Sequence, residues 1–377
     1  MKYYIIAGEA SGDLHASNLM KEIKKNDPDA NFRCWGGDLM KAQGAFIVKH
    51  ISEISFMGFA EVVLNLRTIL RNLSFCKSDI DEFHPDALIL VDYPGFNLKI
   101  AGYARQKGYN VFYYVSPQIW AWKQSRVHKI KKTIDKMMVI LPFEKDFYKR
   151  FDYDAEFVGH PLLDAVESYK ASKTQSNFRL ENKLSGKPIV ALLPGSRKQE
   201  ISRMLKTMIS IREDFSDTQF VIAGAPSIKP EYYSSLIRGH DVSIVYNKTY
   251  DLFMNADAAL VTSGTATLEA ALFDVPEIVC YKGSWFSYII ARMVIKVKFI
   301  SLVNLIMDRK IVTELIQTNL TKANLRAELK TILFNPGQIR QLKNEYSLLK
   351  QKLGNSGASK KAADVIRNYL PSGKQPK

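Results

Sequence analysis

The chain has 377 residues, 46% hydrophobic and 24% charged, with 53 Lys and Arg against 38 Asp and Glu, a formal net charge of +15. That length favours two domains of roughly 150–200 residues over one, and the composition excludes a disordered chain. The positive excess suits an anionic partner (nucleic acid, phosphosugar or anionic membrane surface) or a generally basic solvated surface.

In chain order, Tyr3–Ala7 reads as a buried strand, followed by a glycine turn and a helix from about Asp13 to Lys25. Phe32–Trp35 is a second strand, ending at Gly36-Gly37, and a long amphipathic helix is expected from Phe59 to Phe83. Ala87–Val91 is a strongly apolar strand, Asn97–Lys107 a helix stopped by Gly108, and Asn110–Val115 and Lys136–Leu141 are further strands. This alternation predicts a mostly parallel sheet with helices on both faces.

From Val166 to Lys187 the chain turns polar and reads as a linker. The alternation then restarts with strands at Ile189–Leu193, Gln219–Ala223, Ala258–Val261 and Glu277–Cys280, and helices at Ile201–Asp214, Tyr250–Ala256 and Ala266–Phe273. After Ala323 the pattern is helical to Leu370, broken at Asn335-Pro336-Gly337. The expected organisation is α/β: a Rossmann-like domain over 1–165, a linker over 166–187, a second Rossmann-like domain over 188–350, and a C-terminal helix in 351–377 that returns to the first domain. Ligand is expected in the crevice at the carboxyl ends of the strands, between the domains.

Cys34, Cys76 and Cys280 are widely spaced, with no CxxC pair and no Cys/His cluster of metal-ligand spacing, so they read as small buried residues in a reducing compartment. No stretch of 18 uncharged apolar residues occurs, so no membrane-spanning helix is expected. Trp285 to Met307 is apolar but interrupted by Arg292, Lys296 and Lys298, which suits either an anionic bilayer surface or core packing with solvated lysines. Phe56-Met57-Gly58-Phe59 has the same two readings.

The chemistry-bearing segments are turns at strand ends. Gly8-Glu9-Ala10-Ser11-Gly12-Asp13 joins the first strand to the first helix, where glycines admit close backbone approach and the helix N-terminus favours anionic or polar oxygens. It is not the dinucleotide GxGxxG pattern, and a tight turn with Asp13 as an early-helix carboxylate is the structural alternative. Asp92, after the most apolar strand, can accept a proton from an attacking hydroxyl or can cap the next helix. Pro194-Gly195-Ser196-Arg197 combines a glycine, a hydroxyl and an arginine at a helix start, suited to a diphosphate and to the charge growing on a leaving group. Ser263-Gly264-Thr265 points hydroxyls and backbone N–H groups at an anion, with Glu269 one helical turn in, where it can accept from ribose hydroxyls. Three such turns in one chain weaken a purely structural reading of them all. Among six scattered histidines only His160 ends a strand, and no Ser/His/Asp or Cys/His nucleophile arrangement follows from spacing.

The stretches AGEASGD (7–13), MGFAEV (57–62), DYPGFN (92–97), YVSPQIWAW (114–122) with Arg126, LPFE (141–144), VGHPLLD (158–164), LLPGSR (192–197), SGTATLE (263–269) and LVNLIMDRKIVTELIQ (302–317) together resemble the lipid-A-disaccharide synthase family, glycosyltransferase family 19 of the GT-B fold. The resemblance implies condensation of UDP-2,3-diacylglucosamine with 2,3-diacylglucosamine 1-phosphate (lipid X), with inversion and without a metal or other cofactor. It implies Asp92 as base and Arg197, with Ser196 and Gly195, at the UDP diphosphate. Ser263, Gly264, Thr265, Glu269, Asn304, Glu9 and Ser11 would contact the UDP-sugar. Met57, Phe59, Asn97, Trp120, Trp122 and Arg126 would contact the acceptor or its lipid. Val303 and Thr313 stand where the family usually has proline, and Gly95 stands where many members carry a second acid, which concentrates the base assignment on Asp92.

The family resemblance also implies a peripheral protein on the cytoplasmic face of the inner membrane and pairing of two copies through exchanged C-terminal parts. Two other readings compete. One is another GT-B enzyme, either a UDP-sugar 2-epimerase or a transferase to a different lipid-linked acceptor. The other is a basic nucleic-acid-binding protein, against which stands the lack of a basic aromatic stripe or helix-turn-helix signal.

Overall fold

Ala87–Val91 (ALILV) and Ile189–Leu193 (IVALL) carry no polar side chain, and every residue in both is buried. Strands covered by helices on both faces need such runs. The computed structural model, which describes residues 1–54, 66–172, 177–283 and 297–370, places each run at the centre of a parallel sheet. The chain divides into two units, Met1–Pro161 with Asn355–Lys377, and Leu162–Gly354.

The first unit holds β1 (Lys2–Ala7), β2 (Asn31–Gly36), β3 (Phe46–His50), β4 (Ala87–Val91), β5 (Val111–Tyr114), β6 (Lys136–Val139) and β7 (Glu156–Phe157). Their order is β3-β2-β1-β4-β5-β6-β7, with all pairs parallel. The second unit holds β8 (Ile189–Leu193), β9 (Gln219–Gly224), β10 (Ser243–Tyr246), β11 (Ala258–Thr262), β12 (Glu277–Tyr281) and β13 (Thr313–Ile316), in the order β10-β9-β8-β11-β12-β13, again all parallel. Each sheet grows outward from its first strand, then jumps back and grows the other way. The reversal points lie between β1 and β4 and between β8 and β11, where adjacent connections diverge to opposite faces and leave a crevice at the strand ends.

The helix Ala10–Asn26 buries Ala16, Leu19, Met20 and Ile23, an apolar stripe at helical spacing. The last helix, Ala358–Tyr369, buries Ala358, Ala362, Ala363 and Ile366, and Ala362, Ala363 and Ile366 join the same core as the first helix. A fully buried Leu, Ile or Met side chain there contributes about 1.5–3 kcal/mol. The contact is closed by Arg367 donating to Asn26 Oδ1 at 3.2 Å and by the Tyr369 ring standing edge-on to Phe112, centroids 5.5 Å apart.

The chain passes between units at Pro161/Leu162 and again at Gly354/Asn355. The linker expected over 166–187 differs from this: the helix Pro161–Ser172 starts at the crossing, and Phe178–Glu181 is a further helical turn inside the second unit. Polarity marked the solvent face of these pieces, not a connector. Met57, Phe59, Arg292 and Lys296 lie outside the described residues, and the long helix is described over Leu66–Phe83. Cys34, Cys76 and Cys280 are buried and unpaired with one another. Among the described residues no helix is long and apolar enough to cross a membrane.

Candidate functional site

In the first unit the turns after β1 and β4 meet at the reversal point, with Ala7 in register with Val91. Asp92 and Tyr93 both take left-handed backbone angles, φ 46° and 49°, before Pro94 opens the helix Pro94–Gln106. Two consecutive non-glycine residues there are costly, and such strain persists only where surroundings over-determine it. The restraints are visible. The Asp92 N–H donates to the Tyr114 carbonyl at 3.1 Å. The Asp92 carbonyl accepts from Asn97 Nδ2 at 2.8 Å and from the Tyr113 hydroxyl. The Tyr93 hydroxyl donates to the Ile54 carbonyl at 3.1 Å, and its ring lies over Gly8, where an added Cβ would sit 2.3 Å from the ring. Gly8 is therefore required by close packing.

These restraints hold Asp92, half-buried, immediately past the end of β4. Burial, and secondarily the negative charge of Glu9, push it up to about 6, opposed by a hydrogen bond from the Tyr93 backbone. A carboxylate so tuned is ionised at neutral pH yet basic enough to take a proton. Glu9 is half-buried beside it and Ser11 is exposed at the helix start.

Two expected contacts turn out to be internal. Asn97 is fully buried, and its amide donates to the carbonyls of Ile6 (3.4 Å), Val91 (3.3 Å) and Asp92, so it ties the two strand ends together rather than facing an acceptor. Trp120 is also buried, its indole N–H donating to Glu144 Oε1 at 3.2 Å and its ring packed edge-on against Phe143. Glu144 is pushed up to about 7 by burial, against the N–H groups of Leu141, Trp120 and Ile140. Asp13, read as an early-helix carboxylate, is internal too: it accepts from the N–H groups of Gly37 (2.8 Å), Leu39 (3.1 Å) and Met40 (3.2 Å), pinning the turn after β2. Trp122, by contrast, is 44% exposed, with Lys123 and the half-exposed Arg126 over its ring at 4.7 and 5.3 Å. Sequence reasoning passed over Tyr93, Tyr113 and Glu144, which hold the site from behind. His15 and His160, also passed over as a pair, are depressed to about 4 and about 3 by burial and are neutral at pH 7.

In the second unit the turns after β8 and β11 meet in the same way, Leu193 in register with Val261. Gly195 has φ 111°, which admits glycine with little strain, and an added Cβ would meet Glu200 at 2.8 Å. Ser196 and Arg197 are exposed at the start of the helix Lys198–Ile209, where backbone N–H groups and the helix dipole favour an anion. Arg197 is 62% exposed and lies 3.6 Å from Glu200. Gly264 and Thr265 are exposed at the start of the helix Thr265–Leu272. Glu269, half-buried one turn in, accepts from the Tyr250 hydroxyl at 3.0 Å. Burial raises its carboxyl above the ordinary glutamate range, with the Tyr250 bond opposing.

Two of the expected nucleotide contacts differ here. Asn304 is fully buried and its amide is used up: Oδ1 accepts from Ile311 (2.7 Å) and Val312 (3.0 Å), and Nδ2 donates to the Val312 carbonyl and Glu314, both at 2.9 Å. It has no proton or lone pair left for a ligand. Ser263 donates its one hydroxyl proton to the Ile300 carbonyl at 2.7 Å, so this hydroxyl cannot also donate to a phosphate. Donors at this turn are the backbone N–H groups and the Thr265 hydroxyl. Among the described residues no cluster of His, Cys, Asp or Glu is arranged for a metal ion.

The chain matches the family model described as lipid-A-disaccharide synthetase over residues 3–367. It is 40% identical over 366 residues to the lipid-A-disaccharide synthase of Syntrophus aciditrophicus, covering 95% of each chain. Its fold is similar to that of a putative UDP-N-acetylglucosamine 2-epimerase from Listeria monocytogenes (TM-score 0.68, 13% identity, 100% of this chain and 98% of that one). It is similar too to the UDP-GlcNAc 2-epimerase from Neisseria meningitidis, solved bound to UDP-GlcNAc (TM-score 0.63, 10% identity, 98% and 99%). At those identities the two structures establish the architecture alone, two parallel α/β units of the GT-B type. With its match spanning nearly the whole chain, this protein belongs to the lipid-A-disaccharide synthase family of glycosyltransferases.

Proposed function

We propose that the chain joins UDP-2,3-diacylglucosamine to 2,3-diacylglucosamine 1-phosphate, giving the β-1,6-linked disaccharide 1-phosphate and UDP with inversion at the transferred carbon. The 6-hydroxyl of the acceptor gives its proton to the Asp92 carboxylate as its oxygen bonds to the sugar C1. The bond from C1 to the diphosphate oxygen breaks in the same displacement, and the electron pair leaves with UDP. A sugar nucleotide already carries a good leaving group, so the protein supplies positioning, a base and charge stabilisation. Arg197, Ser196 and the N–H groups at the two helix starts of the second unit take the diphosphate, and Glu269 accepts from the ribose. In this reading those donors neutralise the leaving charge, and neither a metal nor a covalent sugar intermediate is needed.

The observation that carries the reading is the strained, doubly restrained Asp92 at the β1/β4 reversal point, with its carboxyl raised to about 6. Acylated substrates call for a surface that meets lipid. The helix Leu66–Phe83 exposes Leu66, Leu70 and Phe75 (50%, 52% and 48%) beside exposed Arg67 and Arg71, which suits the peripheral face of an anionic bilayer. The test is incubation of purified protein with both acylated sugars in mixed micelles, with mass spectrometry of the lipid and assay of UDP. One disaccharide 1-phosphate per UDP is expected. UDP release at the same rate without the 1-phosphate acceptor would overturn the transfer and favour an epimerase-like reaction.

A further inference from the structure

Glu314, on the edge strand β13 and in register with Val279 of β12, makes more hydrogen bonds than its place requires. Its carboxylate accepts from the Ile300 N–H through both oxygens (3.2 and 3.0 Å), the Ser301 N–H (3.0 Å), the Ser301 hydroxyl (2.8 Å) and Asn304 Nδ2 (2.9 Å). Ser301 and Asn304 are themselves fully buried, and Ser301 Oγ caps the helix Leu302–Met307 by accepting from the Asn304 N–H. Asn304, in the first turn of that helix, fastens it to residues 311–312. The segment from Ile300 to Asn304 is thus held at both ends, with one carboxylate at its start. The Ile300 carbonyl, next to that anchor, accepts a hydrogen bond from the Ser263 hydroxyl at the turn after β11.

We infer that Glu314 is a positioning residue for the nucleotide-side turn: acting through the Ile300 peptide and the Ser263 hydroxyl, it sets the direction in which the Gly264 and Thr265 N–H groups face the UDP diphosphate. Charge-assisted hydrogen bonds of this kind are shorter and stronger than neutral ones, so they hold a backbone segment that neutral partners would let drift. Glu277, fully buried nearby on β12, has its carboxyl raised well above the ordinary range by burial and then by the charge of Glu314. The geometry also separates two roles that look alike in the sequence. Ser263 orients the turn, and the ligand-facing donors follow it.

The inference rests on the reading that this turn holds the nucleotide. Its test is calorimetric titration of UDP into the full-length chain and into Glu314→Gln, Ser263→Ala and the double variant, each checked by thermal melting. Glu314→Gln keeps the shape but removes the charge and turns an amide N–H toward donors. Each single change is expected to weaken UDP binding about tenfold, and the double change no more than about twofold beyond either single, because both cut one path. KM for the UDP-sugar should rise about tenfold in Glu314→Gln while kcat moves less than about threefold. A merely structural Glu314 would lower the folded fraction and leave KM unchanged. UDP binding by Glu314→Gln as tight as that of the unmutated chain overturns the inference alone, as does a double variant weakened about a hundredfold, the product expected of independent sites. Failure of the unmutated chain to bind UDP overturns the nucleotide reading, and this inference with it.

Discussion

Asp92→Asn is expected to destroy activity and, at the same time, to make the protein more stable at alkaline pH. The carboxyl lies at about 6 against 3.8 for an unperturbed aspartate, so the fold holds the neutral form more favourably than the charged one. A raised acid contributes stability that is present below pH 3.8 and is lost as pH rises through about 6. The shift of roughly two units corresponds to at most about 3 kcal/mol, at 1.36 kcal/mol per unit. Asparagine removes that cost, so urea unfolding at pH 8 should show a gain of up to about 3 kcal/mol that disappears near pH 4. In catalysis the sign is opposite, because the base must be ionised. kcat/KM for acceptor-dependent UDP release should fall about tenfold per unit below pH 6, whereas an ordinary aspartate would keep it flat to about pH 4.5. Glu9→Gln, by removing the neighbouring negative charge, should move this limb to lower pH. Asp92→Asn should abolish the limb and cost about 10²–10⁴ in turnover with UDP affinity unchanged. A variant that keeps the limb near pH 6, or loses stability at pH 8, would refute both the base role and the burial argument.

Arg197→Ala removes an exposed pairing with Glu200 at 3.6 Å, so unfolding free energy should change by less than about 0.5 kcal/mol while UDP affinity drops tenfold or more; unchanged affinity by calorimetry would dismiss its diphosphate role. Gly8→Ala drives a Cβ to within 2.3 Å of the Tyr93 ring, whose hydroxyl is tethered to Ile54, and should cost about 1–3 kcal/mol in urea unfolding together with most turnover, yet leave UDP binding intact. Glu277 has both carboxyl oxygens buried without hydrogen-bond partners among the described residues, and burial followed by the charge of Glu314 raises it well above the ordinary range. Its stabilisation is present below about pH 4.5 and lost as pH rises toward its folded value, so Glu277→Gln should flatten the fall of Tm between pH 5 and 8. Melting curves with the slope of the unmutated chain would count against this.

The central strands and the turns that follow them were legible in the sequence, because β1, β4, β8 and β11 are covered on both faces and must be almost continuously apolar. Gly195 and Gly264 take positive φ (111° and 156°), a local need that a glycine at a strand end signals, whereas Gly8 is required by the Tyr93 ring packed against it. Strands β3, β7, β10 and β13 escaped the same reading. All four are sheet edges, short and mostly half-buried, and nothing in their polarity separates them from loop.

What the sequence by itself determined was the α/β alternation, the strand-end chemistry and the placement of Asp92 and Arg197 at such ends, since those follow from local pattern and from the direction of a parallel sheet. Which polar residues face a ligand was decided only by tertiary structure. Asn97 stands in the same motif as Asp92, and Asp13 in the first glycine turn, yet both turn inward to backbone groups outside their own motifs, and Trp120 and Asn304 are likewise turned onto partners within the fold. Asp13 meets Gly37, 24 positions away, and Asn97 meets Ile6, 91 positions away. Buried polar groups must find partners wherever the fold brings them, and a motif read along the chain does not contain that information.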